Sequence, residues 1–469
     1  MKRIAIVGGG IAGLSAAFYL EQARAGGAPL EYILYEAGEC LGGVLRTERV
    51  DDCLIEAGPD SFLTEKPWAA ELCRDLGLAD QLIGSNDRLR RTWILVHRRL
   101  RPMPDGLQFM VPTRTWPILF SRLFSTSTKL RMMGEMLSPR RSSTEDESAA
   151  SLVERHFGRE VVERLADPLL AGVYGGDVQR LSARAVLPRF AEMEASSGSL
   201  IRGMLAARRK RAHAAPQPLF TSLRDGMQQL VDAVTARLEP SALRTATPVT
   251  QLRRDGALWL VTSPAAAESF DSLVLAVPAY CASDLLEPAS PPLASLLAQI
   301  PYNNAMTLTL GFAAESLTPS QRARLADGHG FLVPRHEGRC LLACTFVHNK
   351  FPHRAPEGRL LLRAFLNDRH RWLLGQKDEE VIQLARLELR SVLGLYAEPL
   401  FARLYRWPAA MAQYEVGHLD RLAEIERLRA QLPGLHLIGN AYRGIGVPDC
   451  IRSGRDAAAE IASGIQFTS

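Results

Sequence analysis

Gly8, Gly10 and Gly13, in RIAIVGGGIAGLSAAFYLEQA, are the first residues whose type and spacing suit a defined chemistry. Gly8 permits a tight turn after the β-branched run from Arg3 to Val7. Gly10 lets the backbone approach a pyrophosphate, and Gly13 lets a helix pack against the strand. The helix that follows, carrying Leu14, Ala17, Phe18 and Leu20, offers free N–H groups and a positive dipole end to phosphates. A second strand, EYILYE, ends on Glu36, at the spacing where a carboxylate meets a ribose hydroxyl. This set predicts dinucleotide binding. Gly42, Gly43 and Arg46 follow, then Gly58, Pro59 and Ser61, where an NAD enzyme would usually continue with further βαβ units. Near the other end, LHLIGNAYRGIGVPDCIRSGRDAAAEIAS has the order strand, glycine loop, helix again, with Gly439, Asn440, Gly446 and Val447 at its turn. The patterns GxSxG, HExxH and paired catalytic carboxylates are absent, so no protein nucleophile is evident.

The elements that must position these residues can be read along the chain. Pro67 to Gly84 is helical in pattern, and RRTWILVHRRLRPMP reads as a hairpin with a basic turn. Residues 112–212 are mostly helix-like. TSLRDGMQQLVDAVTARL predicts another helix, and the strands of ALRTATPVTQLRRDGALWLVTS, including Val249, are expected on the adenine side. FDSLVLAVPA is a buried strand. NAMTLTLGF, GFLVPR, RCLLACTFV and RLLLRAFL are strand-like, followed by a helix near 378–393 and the strand LFARLYRWP. Trp116, Phe120 and Phe124, spaced by four and flanked by Arg114, Arg122, Lys129 and Arg131, could lie on a membrane surface or line a core or channel. RRKR at 208–211 reads as a solvated loop.

Composition sets bounds. The chain has 469 residues, 47% hydrophobic and 23% charged, with a net charge of +5, which is room for two or three domains and ordinary for a globular protein. That charge is far below a dedicated nucleic-acid binder's, so no nucleic-acid partner is expected. Seven cysteines without a CxxC argue against a disulfide framework. No signal peptide or membrane-spanning run is seen, so the expected location is cytoplasmic, with contact on the inner face of the cell membrane left open.

EAGECLGGVLRTERVDDCLIEAGPDSF resembles the flavoprotein family of amine oxidases, phytoene desaturases and porphyrinogen oxidases, where ExxxxxGGxxxT wraps over FAD. Over nearly the whole length, PLLAGVYGGDVQRLS, FPHRAPEGRLLLRAF, RWPAAMAQYEVGHLDRL and LIGNAYRGIGVPDCIRSG resemble its oxygen-dependent porphyrinogen oxidase branch. The resemblance implies an α/β fold: a Rossmann-like FAD domain assembled from discontinuous segments, a mixed-sheet substrate domain and a helical insertion. The expected boundaries are 1–85, 216–290 and 430–469 for FAD, 86–100 and 291–429 for substrate, and 101–215 for the insertion.

It also implies non-covalent FAD and removal of six electrons from a porphyrinogen in haem synthesis, with O2 as acceptor and H2O2 released. Handover of the product to ferrochelatase would follow. Gly8, Gly10, Gly13, Glu36, Gly42, Gly43, Arg46, Gly58, Pro59, Ser61, Val249, Gly439, Asn440, Gly446 and Val447 would hold the cofactor. Gly172 matches a glycine whose backbone would meet the pyrrole N–H groups. His329, Leu332 and Phe365 match the residues sandwiching the macrocycle, with His329 where relatives often have Phe. Thr92 stands where protoporphyrinogen-specific members carry arginine, beside Arg90 and Arg91. With Arg98, Arg99 and Arg363, these suggest a four-carboxylate substrate, so coproporphyrinogen III is favoured over protoporphyrinogen IX. An amine oxidase, a carotenoid desaturase-type enzyme and a non-catalytic binding protein on the same scaffold are the other readings.

Overall fold

The computed structural model describes residues 1–140, 145–210, 217–366 and 371–464. Five parallel strands form the first sheet, in the spatial order Leu243–Arg244, Leu30–Tyr35, Lys2–Val7, Ser272–Leu275 and Leu435–Leu437. They come from widely separated stretches of chain, and alternation assigns their two faces. Ile4, Ile6, Leu34 and Val274 pack with Leu14, Phe18, Val231 and Ile451 of the helices Ile11–Ala25, Gln228–Thr235 and Val447–Ser463. Ala5, Val7, Leu273 and Leu275 face the other way, toward Trp259 of the hairpin strand Leu258–Thr262 and the helix Ala279–Leu286. The result is a three-layer α/β unit in which both faces of a parallel sheet are covered.

A second, mixed sheet has seven strands, in the order Phe401–Ala412, Tyr302–Ala313, Arg359–Leu366, Leu341–Phe346, Gly330–Leu332, Thr92–Val96 and Arg99–Pro102. All pairs are antiparallel except Gly330–Leu332 with Thr92–Val96. The hairpin 92–102 turns through His97 and Arg98, both at positive φ (49° and 62°), the geometry a two-residue turn needs to match strand twist. Leu308, Leu310, Phe331, Cys344, Leu362 and Ala364 form one face of this sheet and pack on Val381, Ala385 and Leu389 of the helix Asp378–Leu393. The opposite face carries Thr307, Thr309, Ala343, Arg363 and Phe365.

Between Leu107 and Lys210 the chain is largely helical, including Thr115–Phe120, Thr126–Gly134, Ala149–Phe157, Asp167–Tyr174 and Leu200–Lys210. Two expectations need correction here. The basic run 208–211 is not a loop as far as residue 210: Arg208 and Arg209 belong to the end of the helix Leu200–Lys210, and residue 211 lies outside the described residues. The aromatic stripe is also not continuous. Trp116 and Phe120 stack on each other at the surface (71% and 80% exposed), whereas Phe124 is buried. The helix stops at Phe120, and the extended Ser121 turns the next aromatic inward. Among the described residues no helix is long and apolar enough to cross a membrane.

Candidate functional site

The carboxyl ends of the parallel strands converge, which is where open α/β sheets bind ligands. Gly8 follows the first strand at φ +108°, and a Cβ there would lie 2.7 Å from the Ala276 carbonyl oxygen. A Cβ on Gly13 would lie 1.9 Å from the Gly8 oxygen, so helix and turn fit only without a side chain. Gly10 differs: nothing lies within 4 Å of where its Cβ would be, and the helix it opens has no side-chain cap. A helix start without a side-chain cap, opened by a glycine with free space on its Cβ side, suits an anion. The Gly42 N–H donates to the Gly9 oxygen at 2.8 Å, joining the second glycine pair to the first loop. Gly439, at the end of the last strand, also has open space around it. These open glycine walls fit a dinucleotide pyrophosphate.

The Glu36 carboxylate accepts from the Gly9 and Gly38 N–H groups, both at 2.7 Å, and so stands at the mouth of this crevice. Thr247 N–H donates to the Glu36 carbonyl, which brings the segment leading to Val249 alongside. At the far end of the chain, Gly446 begins the helix Val447–Ser463, where Asp449 Oδ2 accepts from the Gly446 N–H at 3.3 Å and pairs with Lys66 at 2.5 Å. The Tyr414 hydroxyl pins the preceding loop by donating to the Asn440 carbonyl (2.8 Å) and accepting from Gly444 N–H (2.9 Å). The Asn440 amide points to the Ala410 carbonyl at 3.0 Å. Burial pushes the Cys450 thiol up to about 12, so it is a protonated packing residue rather than a nucleophile.

Gly58, Pro59 and Ser61 lie in a loop held against the mixed sheet. A Cβ on Gly58 would sit 1.9 Å from the Val44 oxygen, and Ala57 O accepts from Thr307 Oγ1 (3.1 Å) and Trp407 Nε1 (2.9 Å) of the mixed sheet. Lys350 Nζ reaches Asp60 and Ser61 at 3.0–3.1 Å. Burial alone would raise the Asp60 carboxyl, but Lys350 and Arg363 hold it well below the usual carboxylate range. Arg46 is exposed and pairs with Glu48 at 3.3 Å.

On the mixed sheet, Leu332, Ala343 and Phe365 are direct cross-strand partners on three successive strands. Directly opposed residues share a face, and two strand spacings of about 4.8 Å separate Leu332 from Phe365 by roughly 9.6 Å. Ala343 keeps the floor between them low. A flat ring needs about 3.5–4.0 Å of carbon contact on each side, so the gap has the width of one ring. Both walls are half-buried. His329 precedes this row, with its Nε2 3.0 Å from the Asn86 carbonyl, and burial lowers its pKa so that it stays neutral near pH 7.

Gly172 lies in the last turn of the helix Asp167–Tyr174, exposed, with nothing within 4 Å of a built Cβ. Carbonyl groups in a last helical turn run out of intrahelical donors, so this is an acceptor position. The arginines expected to meet carboxylates are not equivalent. Arg91 is tied to Asp327 at 2.5 Å, and Arg98 and Arg99 sit at the exposed hairpin turn. Arg363 is buried (4% exposed), stacks on Phe365 and donates to the Gly58 carbonyl, so it is not free for a substrate carboxylate. The inward direction of Arg363 follows from strand register, which a basic residue in an apolar run does not announce. Ala343, Tyr414 and Trp407 carried no signal in the sequence, because their contacts are made across distant strands.

Comparison with known proteins adds the following. The family model described as flavin containing amine oxidoreductase matches residues 11–462. The chain is 34% identical over 467 residues to the coproporphyrinogen III oxidase of Bacillus subtilis, covering 98% of this chain and 97% of that protein. It is 30% identical over 482 residues to the chloroplastic protoporphyrinogen oxidase of Nicotiana tabacum, covering 97% and 84%. The crystal structure of a proposed protoporphyrinogen oxidase from Exiguobacterium sp. 255-15 superposes with a TM-score of 0.86 at 32% identity, over 98% of this chain and 99% of that one.

Proposed function

We infer, from the premise that this chain belongs to the flavin-containing amine oxidoreductase family and is an FAD-dependent oxidoreductase, that it oxidises a porphyrinogen to a porphyrin in haem synthesis. The observation that carries this reading is the one-ring gap between Leu332 and Phe365, floored by Ala343, on the sheet face that also meets the 57–61 loop. An extended amine such as a polyamine has no use for two parallel apolar walls. A macrocycle gains apolar contact on both faces, and the flat porphyrin product gains stacking contact as well.

Bound FAD supplies the two-electron oxidation. The protein's own contribution is to bind and orient. Gly8, Gly10, Gly13, Gly42, Gly43 and Gly439 form the pyrophosphate wall, Glu36 takes the ribose, and Val249 borders the adenine end. Arg46, Gly58, Pro59, Ser61, Asn440, Gly446 and Val447 border the ring end. Half-buried His329 adds a flat surface to the substrate site, and the Gly172 carbonyl accepts from pyrrole N–H groups. No side chain is assigned to proton abstraction.

Coproporphyrinogen III is the preferred substrate, with O2 as acceptor and H2O2 released. Support comes from the full-length likeness to the Bacillus subtilis enzyme and from Thr92, a small neutral residue beside the exposed Arg90 and Arg91. Exposed Trp116, Phe120, Leu130 and Leu137, near exposed Arg114 and Arg122, support peripheral contact with an anionic membrane surface. The function is tested by following porphyrin fluorescence and O2 uptake with the purified holoprotein and each porphyrinogen.

A further inference from the structure

Arg335 lies three residues beyond Leu332 and reaches both ends of the helix that carries Gly172. Its backbone N–H donates to Asp167 Oδ2 at 2.8 Å, and its Nε lies 3.1 Å from Asp167 Oδ1. Nη1 lies 2.6 Å from Asp177 Oδ2, and Nη2 donates to the Gly176 carbonyl at 3.0 Å. Asp167 is the first residue of the helix Asp167–Tyr174, and Gly176 and Asp177 lie just past its end. One side chain thus ties Asp167, where the π-helical turn Val162–Ala166 passes into this helix, to the residues just past its end.

The residue types suit the task. A guanidinium presents five donors in a rigid fork, so it can meet two carboxylates and a carbonyl at once, which an ammonium does less well. Asp167 is 5% exposed, and a carboxylate buried that deeply needs a fixed cation. The helix end is held from a third side as well. Gln413 Nε2 donates to the Tyr174 carbonyl at 2.7 Å, and a Cβ on Gly176 would lie 2.2 Å from Gln413 Oε1. The same helix packs against the strands Gly330–Leu332 and Leu341–Phe346, which carry Leu332 and Ala343.

We propose that Arg335 is a positioning residue that fixes the Gly172 carbonyl relative to the Leu332–Phe365 row and thereby sets the fit of the macrocycle. The substrate half of this proposal rests on the porphyrinogen reading; the clamp on the helix does not. Its test uses the holoenzyme and the variants R335M, R335K and D167N/R335M. The double variant removes the carboxylate that R335M would leave buried without its cation.

Three readouts are taken: amide exchange of residues 169–177, FAD content, and kcat and KM with coproporphyrinogen III. In R335M, amide exchange of this segment rises about tenfold and KM rises about tenfold, while kcat stays within about threefold and FAD stays bound. R335K recovers part of the KM, and the double variant keeps the high KM. Exchange and KM within about twofold of wild type overturn the proposal, as does a parallel loss of FAD and kcat at unchanged KM. If wild type oxidises neither porphyrinogen while R335M still frees the helix, the substrate reading fails and the clamp stands.

Discussion

Gly454 of the closing helix lies against Ala12 of the opening helix so closely that a Cβ on Gly454 would be 2.4 Å from the Ala12 carbonyl oxygen. The N-terminal and C-terminal helices are therefore one packed pair, which supports the reading that both ends of the chain hold a single cofactor. Gly454→Val must push them apart. We expect FAD affinity to fall roughly tenfold, read as loss of visible flavin absorbance during gel filtration, since overpacking costs about 1–3 kcal/mol.

Gly10 and Gly13 separate two roles that the motif merges. Gly10→Ala adds a methyl group in open space at an ordinary φ of −70°, so the apo fold keeps its stability while FAD binding weakens by about tenfold or more. Gly13→Ala drives a methyl group into the Gly8 oxygen, so the apo fold itself loses roughly 1–3 kcal/mol. Denaturant titration of apoprotein beside flavin titration tells the two apart.

Phe365→Ala removes one wall of the ring-width gap, and Ala343→Leu raises its floor. Each should increase KM for the porphyrinogen about tenfold, a stacking-sized loss, with FAD content unchanged. Steady-state fluorescence of the porphyrin product measures this.

These residues also mark how far the sequence could be read. The opening glycines were legible because their constraint is local: a turn, a dipole and a carboxylate within 36 residues. Leu332 and Phe365 were reached only by resemblance, and Ala343 not at all, since its role exists only once three strands are in register. Arg363 was expected among the arginines meeting the substrate's carboxylates, yet alternation turns it inward to the Gly58 carbonyl. Arg208 and Arg209 were expected in a loop, but the helix runs on through them, because arginine is a good helix former.

His418 makes the fold acid-sensitive. It is fully buried against Tyr414, its Nε2 lies 3.2 Å from the Tyr442 carbonyl, and its Nδ1 is buried without a partner. Burial lowers its pKa from 6.5 to about 4. The unfolded chain therefore takes up the proton first, and stability falls as pH drops from about 6.5 to about 4, on the order of 3 kcal/mol from this residue. Denaturant midpoints across that range should decline less steeply in His418→Gln.

The exposed pair Trp116 and Phe120 gives a surface test. The protein should sediment with anionic vesicles more than with neutral ones, less so at high salt. Trp116→Glu with Phe120→Glu should reduce that binding about tenfold and leave kcat unchanged.

The most direct test of the central claim is a side-by-side aerobic assay of the purified yellow holoprotein with coproporphyrinogen III and protoporphyrinogen IX. The account predicts porphyrin fluorescence and O2 uptake with both, and the larger kcat/KM for coproporphyrinogen III. Oxidation of neither, with flavin bleaching by a polyamine or a carotenoid precursor instead, would contradict it.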